Sequence, residues 1–279
     1  MEKKRYSRVY VEITNICNKN CSFCPGTTRE KGRMTLEQFK YVANSLVSLT
    51  DYVYFHVMGE PLTHPELPEF IKYATGLGLK CAVTTNGSLV DQRADELISS
   101  GIYKVNLSVH SFEEGTESEQ LAYLEKIAKF AEKASNSGVL TVLRLWNNGH
   151  DGGKNDKTLE FLKENLDGEW KWGTRGARIR HKLHLEYGDR FKWPDMNEPL
   201  GGECLFCYGL RDHFGILCDG SVIPCCLDNE GSITLGNIFE TPIGDILSSD
   251  RAVAILSGFD RRVAVEELCR KCSYAHRFD

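Results

Sequence analysis

The amino-acid sequence predicts an α/β protein: parallel strands in a partial (βα)6 barrel, followed by a small cysteine-rich domain with a β-hairpin and a helix. Three observations predict it. Strand-like and helix-like segments alternate through the first two thirds of the chain, the pattern of a parallel sheet with right-handed crossovers. Cys17, Cys21 and Cys24 stand at C-x3-C-x2-C spacing directly after the first strand-like run. A second cysteine field opens at Cys204, beyond a stretch with neither helical nor strand periodicity. The barrel is expected over residues 1–190 and the cysteine-rich domain over 191–279.

Each element has its own signal. Val9 to Ile13 alternates as a strand, and Thr35-Leu36-Glu37-Gln38 has the form of a capping box opening a helix to about Ser48. Asp51 to Val57 is the second strand, and Pro65 to Leu77 a helix ending before Gly78. Lys80 to Thr84 is the third strand, Asp91 to Ser100 a helix stopped by Gly101, and Tyr103 to Val109 the fourth strand. A long helix over 118–135 precedes a fifth strand, Val139 to Trp146. Asp156 to Leu166 reads as helix and Ala177 to Tyr187 as one continuous sixth strand. Residues 188–203 read as a linker or a loop over the cavity. In the tail, Asp219-Gly220 between two apolar runs signals a hairpin, and Asp245 to Leu256 a single helix.

Side chains alternate across a strand, so the apolar face of each predicts its helix-covered side. The opposite faces then point inward: Tyr10 and Glu12, Tyr54 and His56, Asn106, Ser108 and His110, Arg144 and Trp146, His184 and Glu186. A closed eight-stranded barrel fills its interior with branched apolar groups. A polar and aromatic interior suits a cavity holding a polar ligand, and barrels of this kind carry chemistry at the C-terminal strand ends.

The chain has 279 residues, 41% hydrophobic and 26% charged, with a net charge of −5. That balance favours neither nucleic acid nor an anionic membrane surface. A basic N-terminus leads into a strand, not an apolar signal segment, so a cytoplasmic protein is expected. Eleven cysteines, several at C-x2-C spacing, then argue for metal or redox use over disulfides. Three thiolates on one tight loop can hold three irons of a 4Fe-4S cluster and leave the fourth open to a small chelating molecule. A zinc site would want a fourth ligand nearby, and no His or Cys follows Cys24 until His56.

The stretch Thr14-Asn15-Ile16-Cys17-Asn18-Lys19-Asn20-Cys21-Ser22-Phe23-Cys24 resembles the signature of the radical S-adenosylmethionine (radical SAM) enzymes. The resemblance implies that the amine and carboxylate of SAM chelate the open iron. One electron then cleaves SAM to methionine and a 5′-deoxyadenosyl radical that takes a hydrogen atom from substrate. Met58-Gly59-Glu60-Pro61 is similar to the family's Gly-Gly-Glu motif, with Met58 in place of the first glycine, and implies that Gly59 and Glu60 hold the SAM amine. Thr84-Thr85-Asn86-Gly87 is similar to the family's Thr-Asn-Gly, which puts Thr85 and Asn86 near SAM. Ser108 is placed like the family's ribose-binding group, and Arg144 like the arginine that pairs with the SAM carboxylate.

The tail resembles the SPASM/twitch extension of the same family. Its matching text is Cys207, Asp219-Gly220-Ser221-Val222-Ile223-Pro224-Cys225-Cys226, Leu235-Gly236-Asn237-Ile238, and Cys269-Arg270-Lys271-Cys272. One auxiliary 4Fe-4S cluster on Cys207, Cys225, Cys269 and Cys272 is implied, with Cys204 and Cys226 as possible substitutes and a structural zinc on the same four thiols as the alternative. Cys81 and Cys218 read as buried small apolar groups. Single-auxiliary-cluster members include alcohol-oxidising dehydrogenases and peptide-modifying enzymes. The expectation is therefore a radical SAM oxidoreductase, dehydrogenase-like, acting on a small polar substrate, with peptide modification as the alternative. His56 and Glu186 are the candidate proton acceptors, and a flavodoxin or ferredoxin the class of one-electron donor. The rivals from other classes are a non-catalytic iron-sulfur protein and a zinc-binding module.

Overall fold

A computed structural model describes residues 6–201 and 206–278. In chain order its elements are β1 (Arg8–Val11), α1 (Leu36–Leu46), β2 (Tyr52–Phe55), α2 (Leu67–Gly76), β3 (Lys80–Thr85), α3 (Val90–Ser99), β4 (Lys104–Ser108), α4 (Glu117–Asn136), β5 (Leu140–Asn148) and α5 (Lys154–Asn165). There follow β6 (Lys171–Gly173), β7 (Gly176–Arg180), β8 (Leu183–Asp189), β9 (His213–Ile216), β10 (Ser221–Ile223), β11 (Gly236–Asn237), α6 (Ile243–Leu247), α7 (Asp250–Asp260) and α8 (Glu267–Arg270). No described helix is long and apolar enough to cross a membrane. The chain gathers into two compact units, one of residues 1–59, 76–79 and 191–279, the other of 60–75 and 80–190.

In the first unit the strand order is β11-β10-β9-β1-β2. β1 is parallel to both β2 and β9, with Tyr10 opposite Tyr54 on one side and Gly215 on the other. The expected hairpin is present as the antiparallel pair β9 and β10. Helix α1 opens with the predicted capping box: the Gln38 amide donates to the Thr35 hydroxyl at 3.2 Å and the Thr35 amide to the Gln38 side chain at 2.8 Å. Two backbone donors at the helix start are satisfied in this way. Phe39, Val42, Ala43 and Leu46 recur at helical spacing and are buried, Phe39 edge-on to Phe55 at 5.5 Å. Each large apolar side chain so buried contributes about 1.5–3 kcal/mol.

In the second unit β3, β4, β5 and β8 run parallel in that order, and β7 and β6 continue the sheet antiparallel. The register sets Ser108 opposite Arg144 and Arg144 opposite Glu186, so the three share one face. Val105 and Leu107 are fully buried on the other.

Two elements correct the sequence reading. The single sixth strand is a hairpin: β7 and β8 are antiparallel, turned through Lys182 at φ 63°. The single helix over 245–256 is two, α6 and α7, because the Ser249 hydroxyl accepts the Ala252 amide and starts a new helix.

Candidate functional site

The cysteine loop lies in the first unit. Cys17 is exposed, while Cys21 and Cys24 are half-buried. The loop base is tied by the Thr-Asn pair that precedes the thiols. The Thr14 hydroxyl donates to the Gly32 carbonyl at 3.0 Å and accepts the Ile16 amide at 3.1 Å. The Asn15 side chain donates to the Glu30 carbonyl at 2.8 Å and accepts the Gly32 amide at 2.9 Å. Between the thiols, the Cys24 amide donates to the Cys21 carbonyl at 3.1 Å, and the Lys19 amide approaches the Cys17 sulfur at 3.5 Å. Burial raises the Cys24 thiol, and the nearby Cys17 adds to the shift. A cationic centre would offset both effects and hold the thiolates. Among the described residues no three His, Cys, Asp or Glu side chains converge as a single metal ion requires. Soft thiols are the ligands that suit an iron-sulfur cluster.

Below the loop lies a carboxylate that the sequence places on the inward face but gives no partner. Glu12 is fully buried. The Arg29 guanidinium donates through Nη2 to both its oxygens at 2.8 Å, the Met58 amide donates at 3.0 Å and the Cys218 amide at 3.3 Å. Burial pushes the carboxyl up, and Arg29 with the two amides pulls it back. Arg29 Nε also donates to the Asn229 carbonyl at 2.9 Å. The Asn229 side chain donates to the Gly26 carbonyl at 2.9 Å, and the Glu230 carboxylate takes both the amide (3.1 Å) and the hydroxyl (2.7 Å) of Thr28. The loop after Cys24 is thereby strapped to the turn that follows Cys225.

Cys225, which opens that turn, belongs to the second thiol group. Cys207, Cys225, Cys269 and Cys272 are each half-buried, and the charge on one raises the thiols of the others. Burial pushes the Cys207 thiol up to about 12, with Cys225 and Cys272 adding to it. Burial, with Cys207, Cys225 and Cys272 as neighbours, pushes Cys269 well above the thiol range. The Gly209 and Leu227 amides approach the Cys207 and Cys225 sulfurs at 3.4 Å. Such contacts to sulfur orient ligands and tune a cluster. Cys226 neighbours Cys225 and Tyr10, and packs on the apolar group of Tyr10, Val57, Leu217 and Ile223. Cys204 lies outside the described residues. Cys81 and Cys218 are buried, but Cys218 also touches the Glu12 carboxylate.

The remaining sequence-predicted residues divide between the units. His56 is in the first, its ring edge-on to Tyr10 at 5.2 Å and to Tyr54 at 5.8 Å. In the second, the Glu60 carboxylate accepts the Leu62 amide at 3.0 Å and the Asn86 amide at 2.6 Å, which joins the loops after β2 and β3. The Thr85 hydroxyl accepts the Gly87 amide, and the Asn86 carbonyl accepts the hydroxyls of Ser111 and Tyr123, both at 2.9 Å. Ser108 closes β4, and its carbonyl receives the Tyr123 hydroxyl at 3.4 Å. The Arg144 guanidinium stands 4.3 Å from the Trp146 ring centre, with Nε 3.5 Å from a Glu186 oxygen. The half-buried His110 sets Nδ1 3.0 Å from the Arg144 carbonyl and 3.3 Å from the Trp146 amide.

The family model of the radical SAM superfamily matches residues 11–164, more than half the chain. The chain belongs to the radical SAM superfamily. An iron-sulfur cluster-binding SPASM domain matches residues 207–273. As a radical SAM enzyme with that domain, the protein uses 4Fe-4S iron-sulfur chemistry and SAM. An AdoMet-dependent heme synthase of Methanosarcina barkeri is 29% identical over 35% of this chain and 29% of its own. A GTP 3',8-cyclase of Chlorobaculum tepidum is 30% identical over 64% of this chain and 61% of its own. The chain thus spans from under a third to about three fifths of these curated relatives. Among solved structures, BtrN in complex with AdoMet and 2-DOIA superposes at a TM-score of 0.62, with 20% identity over 97% of this radical SAM chain and 94% of that one. Streptococcus suis SuiB superposes at 0.65, with 15% identity over 99% of this chain and 74% of its own. These likenesses show the α/β fold that the sequence predicts, with parallel strands and a cysteine-rich hairpin tail.

Sequence reasoning missed Arg29, Asn229 and Glu230, which come from segments without periodicity. The available signal was Glu12 itself, a charge between Val11 and Ile13 that has to find a partner once buried.

Proposed function

We propose that this radical SAM enzyme oxidises a small polar substrate by two electrons. The observation that carries this reading is the strap between the loop after Cys24 and the turn after Cys225, which supports two clusters working on one substrate. Cys17, Cys21 and Cys24 would hold the SAM-cleaving cluster, and Cys207, Cys225, Cys269 and Cys272 a second, fully ligated one. When bound, the first cluster and SAM supply hydrogen-atom abstraction. His56 or Glu186 takes the hydroxyl proton, and the cysteine quartet holds the acceptor for the remaining electron, so a C–OH group becomes C=O. Gly59, Glu60, Thr85, Asn86, Ser108 and Arg144 are assigned to SAM, in keeping with their places after β2, at the ends of β3 and β4, and in β5. The likeness to BtrN over nearly all of both chains supports a ligand such as 2-DOIA.

A second reading, peptide modification, is favoured by the likeness to SuiB bound to precursor peptide SuiA and to anSMEcpe bound to a Cp18Cys peptide. Anaerobic incubation of the reconstituted protein with SAM, a one-electron reductant and separate panels of polyols and peptides decides between them. Substrate-dependent 5′-deoxyadenosine with loss of two hydrogens from a polyol supports oxidation of a small molecule. The same response confined to peptides overturns it.

A further inference from the structure

We propose that Glu12 is the positioning residue for the SAM-binding backbone: its carboxylate fixes the Met58–Gly59 segment against the cysteine loop. The inference rests on the assignment of the 58–60 loop to SAM. Glu12 follows β1, and its carboxylate receives donors from three separate segments: Arg29 of the cysteine loop, the Met58 amide after β2, and the Cys218 amide after β9. All three sit in one unit and meet at one fully buried group. Its neighbours Val11 and Ile13 lie in the apolar core.

Stability alone is a poor reason for this arrangement. Burying two charges costs several kcal/mol per ion, and an apolar pair of similar volume is often as stable or more so. What an apolar pair cannot do is accept the Met58 and Cys218 amides. The Met58 hydrogen bond matters because the next residue has no freedom. A Cβ on Gly59 would lie 2.3 Å from the Thr14 carbonyl oxygen, so a small shift of this backbone collides with the base of the cysteine loop. Arg29 carries the same register onward through the Asn229 carbonyl. One carboxylate therefore sets the spacing between the thiol loop and the backbone assigned to the SAM amine.

The test is Glu12→Gln in the reconstituted protein, beside Glu60→Gln as a check on the loop assignment. Iron content and the electron paramagnetic resonance of the reduced protein are recorded during SAM titration. Hydrogen exchange at the Met58 amide is read in the cluster-free protein. Glu12→Gln is expected to keep its iron, exchange the Met58 amide faster, and need about tenfold more SAM for half the spectral change, the effect of losing one charged hydrogen bond. Parent SAM dependence in Glu12→Gln with weakening in Glu60→Gln overturns the role of Glu12 and leaves the loop assignment standing. Parent dependence in both variants removes the loop assignment itself. Should Glu12→Gln not fold, Glu12→Gln with Arg29→Gln leaves no lone buried charge and enters the same titration. A double variant that folds with parent SAM dependence, or that does not fold, shows a purely structural residue and ends the proposal.

Discussion

Gly59 passes so close to Thr14 that a Cβ on it would sit 2.3 Å from the Thr14 carbonyl oxygen. Its φ of 79° lies in the left-handed region, where any other residue is strained by roughly 1–2 kcal/mol before the contact is counted. Gly59→Ala must therefore move either its own segment or the base of the cysteine loop. The expected outcome is a loss of at least ~1 kcal/mol in urea unfolding together with weaker SAM binding. A Gly59→Ala protein with parent stability and parent SAM affinity would show that the approach is not required.

The two thiol groups make separable claims on iron. Replacing Cys17, Cys21 and Cys24 together by Ala should leave about four irons per chain and abolish 5′-deoxyadenosine, while Cys269→Ala removes about four. Cys226→Ser should remove none, because Cys226 is engaged with Tyr10 and the apolar group around it. Iron and sulfide assays after anaerobic reconstitution measure all three. A loss of four irons in Cys226→Ser would transfer the ligand role from Cys225 to its neighbour.

Arg144 shares a face with Ser108 and Glu186 and stacks on Trp146, so its guanidinium is held within β5 and not free to roam. If it takes the SAM carboxylate, Arg144→Ala weakens SAM binding by about 1.5–3 kcal/mol. Arg144→Lys should recover only part of this, since an ammonium lacks the planar fork. Unchanged affinity in the Ala variant, by calorimetric titration, removes Arg144 from the SAM site.

Strands one to five and their helices are legible because each buries one apolar face, and the alternation survives in the sequence. The break in the sixth strand is not, because its turn runs Arg180-His181-Lys182-Leu183 with no Gly, Pro, Asn or Asp to mark it. Lys182 adopts a positive φ that its residue type does not advertise. The split between α6 and α7 was readable in principle, since Ser249 before Asp250 is a helix-start signal inside an otherwise helical pattern. At the site, the thiols stand in the sequence as fixed spacings. The partners of Glu12 do not, since Arg29, Met58 and Cys218 meet it only through long-range folding.

His110 gives a pH dependence with a definite sign. Burial holds its imidazole below the ordinary value, with the Arg144 charge acting the same way and the Arg144 carbonyl against it. The unfolded chain therefore takes up this proton at a higher pH than the folded one, and stability falls as pH drops through about 6.5. The urea midpoint should decline between about pH 7.5 and about pH 5.5, and His110→Phe should decline less. An equal decline in both proteins would show that other groups account for it.

The strap between the two loops frames the last question, what a second cluster does. Abstracting a hydrogen atom leaves a substrate radical one electron short of a two-electron oxidation. An acceptor on Cys207, Cys225, Cys269 and Cys272 would lie in the same unit as the loop of Cys17, Cys21 and Cys24, tied to it through Asn229 and Glu230. The competing role is a staple for a tail whose own strands and helices are short. Cys272→Ala separates them. An acceptor role predicts that SAM cleavage continues in the variant while oxidised product falls far below the 5′-deoxyadenosine formed. A staple predicts that both fall together with stability. The strap adds an internal control, because Glu230→Gln loosens the link at Thr28 without touching a thiol. Under the acceptor role its ratio of product to 5′-deoxyadenosine should stay near the parent value. Parent-rate oxidation in a soluble Cys272→Ala protein would end the acceptor role.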